Sequence, residues 1–250
     1  MSTPLEDMMA VTAARALKGA KNCFVGIGAP STAANLARAT HSPELVLIYE
    51  SGCIGAKPTR LPLSIGDGEL AETADAVVSV PEIFAYWLQP GRIDLGFLGA
   101  AQIDRFANLN STVIGPYDQP ATRLPGAGGA PEIAAACRRV LVMIRQSRRS
   151  FVAGLDFRTS VGFGDGPGDR RRLGLRGGGP EMVITDLGVL RPDPETCELV
   201  LTDVHPGVRV DEVRQSTGWP LRVAPDVGMT GPPTEVELAA LRRLREAGKV

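Results

Sequence analysis

Val46-Leu47-Ile48-Tyr49-Glu50-Ser51-Gly52-Cys53-Ile54-Gly55 is the stretch on which the rest of the chain turns. An apolar run drives into a carboxylate, and two glycines, Gly52 and Gly55, follow it. Such a run predicts a buried strand. In an open α/β sheet the crevice outside the carboxyl ends of the strands is where chemistry is placed. The glycines let backbone and substrate come close to the acid. Glu50 is therefore the first candidate nucleophile, a partly desolvated carboxylate rather than a hydrated surface charge.

Upstream, Thr3-Pro4-Leu5-Glu6 predicts a capping box and a helix that Gly19 closes. Asn22-Cys23-Phe24-Val25-Gly26-Ile27-Gly28 predicts a strand ending in a Gly-x-Gly turn, with a helix over 31–38. Strand, glycine turn and helix N-terminus form a generic anion cradle, which marks Gly26 and Gly28. Ser31 stands where the dinucleotide fingerprint needs its third glycine, which disfavours a nicotinamide enzyme.

Downstream, residues 55–68 form a long connection carrying Lys57 and Arg60. These suit a carboxylate or phosphate, or are solvated surface charges. A strand over 76–80, a helix over 81–88 and a strand over 92–99 follow. That last strand runs into Gln102, Asp104 and Asn108, and Arg105 beside Asp104 suggests an ion pair. Gly126-Ala127-Gly128-Gly129 precedes a helix over 132–137, so its backbone N–H groups suit an oxyanion or phosphate. With a further strand over 139–144, the repeated strand–helix order predicts an α/β fold, an open, mainly parallel sheet flanked by helices.

The character changes after Arg145. Arg148, Arg149, Arg170, Arg171, Arg172 and Arg176 lie among glycine-rich segments and predict a flexible surface excursion. Its arginines meet a partner subunit, cofactor phosphates or only solvent. Strands over 182–190 and 198–201 are expected as an antiparallel pair, a smaller antiparallel portion toward the C-terminus. A helix over 210–216 and a last helix opened by Thr234 and Glu237 complete the chain. No repeat or linker divides it, so residues 1–250 are expected as a single domain.

The 250 residues carry a formal net charge of −1. No global field draws nucleic acid or a membrane. Cys23, Cys53, Cys137 and Cys197 are scattered, and only His41 and His205 are present, so no metal site is expected. Packed, reduced thiols, no signal peptide and no ~20-residue apolar run predict a soluble cytoplasmic protein. Ser51 is outside any Gly-x-Ser-x-Gly elbow, so a Ser-His-Asp triad is disfavoured. His205 falls in a turn, where it either touches substrate or is structural. His41 is expected to be structural and Cys53 a packed thiol.

Together these residues resemble the family I coenzyme A transferases, specifically their B subunits. Glu50-Ser51-Gly52-Cys53-Ile54-Gly55 matches the family's Glu-x-Gly-x-x-Gly motif. Gly99-Ala100-Ala101-Gln102-Ile103-Asp104 with Asn108-Leu109-Asn110 is similar to its second signature, with Ala107 where a glycine is common. Gly126-Ala127-Gly128-Gly129-Ala130, Val183-Ile184-Thr185-Asp186-Leu187 and Pro206-Gly207-Val208 resemble later family positions. The likeness covers nearly the whole chain, in order.

The resemblance implies a CoA-transferase (NagB-like) fold and an A subunit as partner in a hetero-oligomer. No cofactor would be permanently bound. A CoA thioester would be substrate and, through Glu50, covalent intermediate of a ping-pong cycle. Gly26, Gly28, Gly52, Gly126, Gly128 and Gly129 would serve the oxyanion or CoA. Ser51, Lys57, Arg60 and Gln102 would lie around the substrate. The likeness is greatest to the branch using succinyl-CoA and 3-oxoadipate in bacterial aromatic degradation, with the glutaconate branch next. A CoA-thioester hydrolase on the same fold and a non-catalytic metabolite-binding subunit are the rival expectations.

Overall fold

A computed structural model describes residues 4–247. In chain order, α1 (Leu5–Ala16), β1 (Asn22–Phe24), α2 (Ala29–Ala39), β2 (Val46–Ile48) and β3 (Cys53–Ile54) come first. Next are α3 (Gly68–Glu72), β4 (Ala76–Val77), α4 (Val80–Glu82) and β5 (Leu95–Leu98). Two small antiparallel pairs follow, β6 (Gln102–Ile103) with β7 (Leu109–Asn110), and β8 (Val113–Ile114) with β9 (Thr122–Arg123). The chain continues through α5 (Ala130–Ala136), β10 (Arg139–Met143), α6 (Asp169–Arg172), β11 (Pro180–Ile184), β12 (Gly188–Pro192) and β13 (Leu199–Val204). α7 (Val210–Gln215), β14 (Arg222–Met229) and α8 (Glu235–Ala247) end it.

One ten-stranded sheet has the order β14-β13-β12-β11-β10-β5-β1-β2-β3-β4. Its centre, from β11 to β2, is parallel. The chain lays β2 on one side of β1 and later returns to lay β5 on the other. That reversal opens a crevice at the carboxyl ends of β1 and β5, the place where open α/β sheets bind ligands.

Successive strand residues enter opposite cores, as the two-residue period of a strand requires. Cys23, Leu47 and Tyr49 pack with α1, α2 and α8, while Phe24 and Ile48 pack on the face that carries α5. Both faces are covered, so the central strands are continuous apolar runs, as parallel sheets require.

The last helix starts as expected: the Thr234 amide donates to Glu237 Oε2 at 2.8 Å and the Glu237 amide donates to Thr234 Oγ1 at 3.2 Å. The box expected at Thr3 lies partly outside the described residues. Three other expectations are corrected, and one strand is added. The 182–190 run is two strands, because Thr185 Oγ1 accepts from both Leu187 and Gly188 amides at 3.0 Å and turns the chain into a hairpin. The 81–88 helix is one α-turn followed by a wide π-helical turn, Ile83–Leu88. β14 is a strand that the sequence does not predict: it has no alternating pattern because it is a sheet edge with Pro225 in it, a position where proline is tolerated. Arg105 pairs with Glu198 at 3.5 Å, not with Asp104. Asp104 instead accepts from the Phe106 and Asn108 amides and from Asn108 Nδ2, at 2.9, 3.0 and 2.8 Å. Ala107 takes the left-handed φ of +56° inside this turn.

The 145–179 excursion is also corrected, since much of it is interior. Phe151 is fully buried and stacks on Trp219 with ring centroids 5.7 Å apart. Arg170 is buried, while Arg171, Arg172 and Arg176 are exposed.

His205 is structural. It is fully buried, with Nε2 2.9 Å from the Thr185 carbonyl oxygen and Nδ1 2.7 Å from Thr230 Oγ1. A carbonyl only accepts, so Nε2 carries the proton and Nδ1 accepts from the threonine hydroxyl. Burial pushes the ring's pKa below its ordinary 6.5. Below pH 6.5 the unfolded chain therefore binds a proton that the folded chain refuses, and stability falls on acidification until the folded ring titrates. His205→Gln is expected to flatten the denaturant midpoint's dependence on pH between 6.5 and 5. Burial lowers His41 as well, so it supplies the slope that remains. An unchanged slope in the variant refutes the assignment.

Candidate active site

β2 ends at Ile48, and a tight turn carries Glu50 and Ser51 before β3 returns. The turn is closed by the Tyr49 amide on the Cys53 carbonyl oxygen at 2.9 Å and the Gly52 amide on the Tyr49 carbonyl oxygen at 3.0 Å. Gly52 has φ +105°, and any Cβ there would run into the Val78 carbonyl oxygen. Gly55 has φ +69°, and a Cβ would strike the Asp75 carboxylate. Only glycine satisfies both positions. The motif's glycines thus fix the hairpin that presents Glu50.

Glu50 is half-buried and lines a cavity of about 500 Å³. The walls are the carboxyl ends of β1 (residues 24–27) and β5 (97–101), Pro30 of α2, Ile65, Ser111, residues 124–130 and Ile133. Among the described residues, Glu50 is the one charged side chain that lines it. Apart from Ser111, the rest is apolar or backbone.

The glycine loop meets the carboxylate directly. A Cβ built on Gly129 would lie 3.3 Å from Glu50 Oε1 and 2.7 Å from Phe84 Cζ. Ser111 holds the loop from behind: its Oγ donates to the Gly126 carbonyl oxygen at 2.8 Å, and the Gly126 amide donates to the Ser111 carbonyl oxygen at 2.8 Å. The Gly126 amide is therefore spent, and so is that of Ala130, on Ala127 at 3.0 Å. Within the described chain the Gly128 and Gly129 amides have no acceptor. Ser111 stands in a polar run without periodicity, so nothing in the sequence marked it.

The remaining candidates are placed as follows. Gly26 lines the cavity, whereas Gly28 is the cap of α2 behind it. Lys57 is half-exposed and paired with Asp75. Arg60 grips Asp67 through two bonds of 2.7 and 2.9 Å and reaches Glu69 at 3.1 Å. Neither cation lines the cavity. The Arg60 guanidinium holds the Asp67 carboxyl well below the usual carboxylate range. Gln102 is buried behind the wall, donating to Asp156 at 2.8 Å and accepting from Asn110 at 2.7 Å. Ser51 Oγ lies 3.6 Å from Cys53 Sγ, outside the cavity lining. Cys53 is buried and free.

Ser111→Ala removes one hydrogen bond of about 1 kcal/mol and frees the glycine loop beside Glu50. Turnover is expected to fall on the order of 10-fold as the loop loses its fixed geometry, with the substrate KM little changed. Steady-state kinetics on the assembled enzyme checks this. A change in KM alone would show that Ser111 binds substrate rather than positions the loop.

A carboxylate at a sheet's switch point, next to a glycine loop and inside an apolar cavity, is an arrangement suited to acyl transfer. The family model for coenzyme A transferases matches residues 6–216, and the chain belongs to that family. It is 62% identical to the B subunit of 3-oxoadipate CoA-transferase from Pseudomonas knackmussii, over 95% of this chain and 92% of the relative. The crystal structure of glutaconate coenzyme A-transferase from Acidaminococcus fermentans superposes with a TM-score of 0.92 at 32% identity, covering 99% of this chain and 96% of that one. The decarboxylase AibA/AibB follows with a TM-score of 0.84 at 26% identity, covering 99% and 96%. The same fold thus carries different chemistries, and the site has to decide between them.

Proposed function

We propose that the chain is the catalytic B subunit of a hetero-oligomeric CoA-transferase that moves CoA from succinyl-CoA to 3-oxoadipate, with Glu50 as the covalent carrier. The observation that carries this is Glu50 itself, the one charged side chain among the described residues that lines an apolar cavity at the carboxyl ends of β1 and β5. The 62% identity to the B subunit of a 3-oxoadipate CoA-transferase supports 3-oxoadipate as a substrate and an A subunit as partner.

In this cycle a Glu50 oxygen attacks the succinyl thioester carbonyl. The C–O bond forms, the C–S bond breaks, and CoA leaves as thiolate, giving a succinyl-glutamyl anhydride. The thiolate then attacks the glutamyl carbonyl, succinate leaves, and Glu50 holds CoA as a thioester. The 3-oxoadipate carboxylate runs the two steps in reverse and departs as 3-oxoadipyl-CoA. Each addition creates an oxyanion, and the Gly128 and Gly129 amides, without an acceptor in the described chain and in the cavity lining, support this loop as its donor. Apolar walls keep water from an anhydride that would otherwise hydrolyse, which favours transfer over the hydrolase reading. Lys57 and Arg60 are spent on Asp75 and Asp67, so neither is free to neutralise the substrate's distal carboxylate.

Trapping tests the proposal. The chain, co-expressed with its A subunit, is incubated with succinyl-CoA and treated with borohydride, and the peptide carrying Glu50 is read by mass spectrometry. Reduction of Glu50 to the alcohol is expected. An unmodified Glu50 in an active complex would sink the covalent mechanism.

A further inference from the structure

A cavity of about 500 Å³ has room for an acyl group and the thioester end of pantetheine. The nucleotide end of CoA, with its phosphates, must lie outside it. Among the described residues the cavity wall is uncharged apart from Glu50, so it offers those phosphates no cation. Resting on the transferase reading, we propose that Arg123, on the β8–β9 hairpin that leads into the cavity wall at Leu124, is the phosphate-binding residue for the nucleotide portion of CoA.

Placement is the first argument. Arg123 directly precedes Leu124, a wall residue, so their Cα atoms are about 3.8 Å apart. The hairpin's other strand follows Ser111, which also lines the cavity. No other lysine or arginine lies within two residues of a wall segment.

Availability is the second. Lys57 and Arg60 are consumed by carboxylates, whereas no ion pair holds Arg123 among the described residues. Its Nη2 donates to the Tyr117 carbonyl oxygen at 3.0 Å, and its Cζ lies 4.9 Å from the centre of the Tyr117 ring. Tyr117 is in turn stacked on Phe157, with centroids 5.5 Å apart and planes at 27°. This aromatic pedestal stands exposed and holds the guanidinium in a fixed plane with its remaining donors open. A planar, pre-oriented guanidinium suits phosphate recognition better than a mobile ammonium does. The stack otherwise has no evident structural use: Tyr117 is 54% exposed and Arg123 is exposed.

The experiment compares succinyl-CoA with succinyl-pantetheine, which lacks every phosphate, on the assembled complex. Arg123→Ala is expected to raise KM for succinyl-CoA, and Kd for free CoA by calorimetry, about 10-fold with kcat little changed. Binding and turnover of the pantetheine compounds should stay within about twofold of wild type. Arg123→Lys should recover part of the loss, and Tyr117→Ala, which removes the pedestal, should fall between. An Arg123→Ala enzyme that loses both ligands alike, or neither, overturns the proposal. Glu50 labelling separates the two failures. If borohydride never traps wild-type Glu50, the transferase reading falls and this one with it. If trapping stands and Arg123→Ala does not discriminate, this one falls alone.

Discussion

Replacing Glu50 with glutamine is expected to lower CoA transfer by at least about 10⁴-fold while the complex still assembles, because in the proposed cycle it removes the nucleophile and not merely a helper. Glutamine keeps the shape of glutamate, so the close approach of Gly129 to Oε1 is preserved. The side chain is half-buried at a hairpin corner and makes none of the turn's closing bonds, which are backbone to backbone. Stability should therefore change by about 0.5 kcal/mol or less. Glu50→Asp supplies the complementary measurement. It keeps the carboxylate and draws it back by one methylene, away from the glycine loop. A displacement of this kind typically costs about 10²-fold. The expected order is wild type, then aspartate, then glutamine. A binding or scaffold subunit predicts no such order, since both variants would then leave the assembled enzyme fully active. Rates are measured on co-purified complex, so that loss of the partner is not read as loss of chemistry.

What the sequence disclosed, and what it withheld, follows from the range of the interactions concerned. The Glu50 hairpin was legible because its causes are local: an apolar run sets the strand and two glycines set the turn. Gly52 and Gly55 could be named without knowing that Val78 and Asp75 would crowd them. The parallel centre of the sheet was legible for the same reason. The fates of Lys57 and Arg60 were not, because a cation's partner is chosen in space. The Gly126 amide looked available in a glycine-rich segment, yet Ser111 had already taken it. The edge strand β14 carries no alternation because it has no second neighbour to pack against.

The arginine-rich excursion is where charge misled most, and it yields the largest expected effect on stability. Arg170 is buried among carbonyl oxygens. Its guanidinium donates to Gly162 at 2.7 Å, Ala134 at 3.0 Å, Gly177 at 2.8 Å and Val161 at 3.3 Å. No carboxylate pairs with it among the described residues, and burial alone pushes its pKa down. A surface charge would have neither property. Ala134 belongs to α5, so one side chain ties the 161–177 segment to the helix that follows Gly128 and Gly129. Arg170→Met keeps the apolar stem and abandons those acceptors. Each buried acceptor left unpaired costs about 1–3 kcal/mol, and entering water recovers part of that, so a loss of about 3 kcal/mol or more is expected. For a chain of this size about 3 kcal/mol lowers the melting temperature by roughly 6–12 °C. Arg170→Lys keeps the charge but not the planar fork, and should fall between. Exposed Arg171→Ala is the control and should stay within about 0.5 kcal/mol. Activity of Arg170→Met, measured well below its melting temperature, should drop as well, because α5 carries the end of the glycine loop. If Arg170→Met melts no earlier than Arg171→Ala, the clamp is not what holds this segment in place.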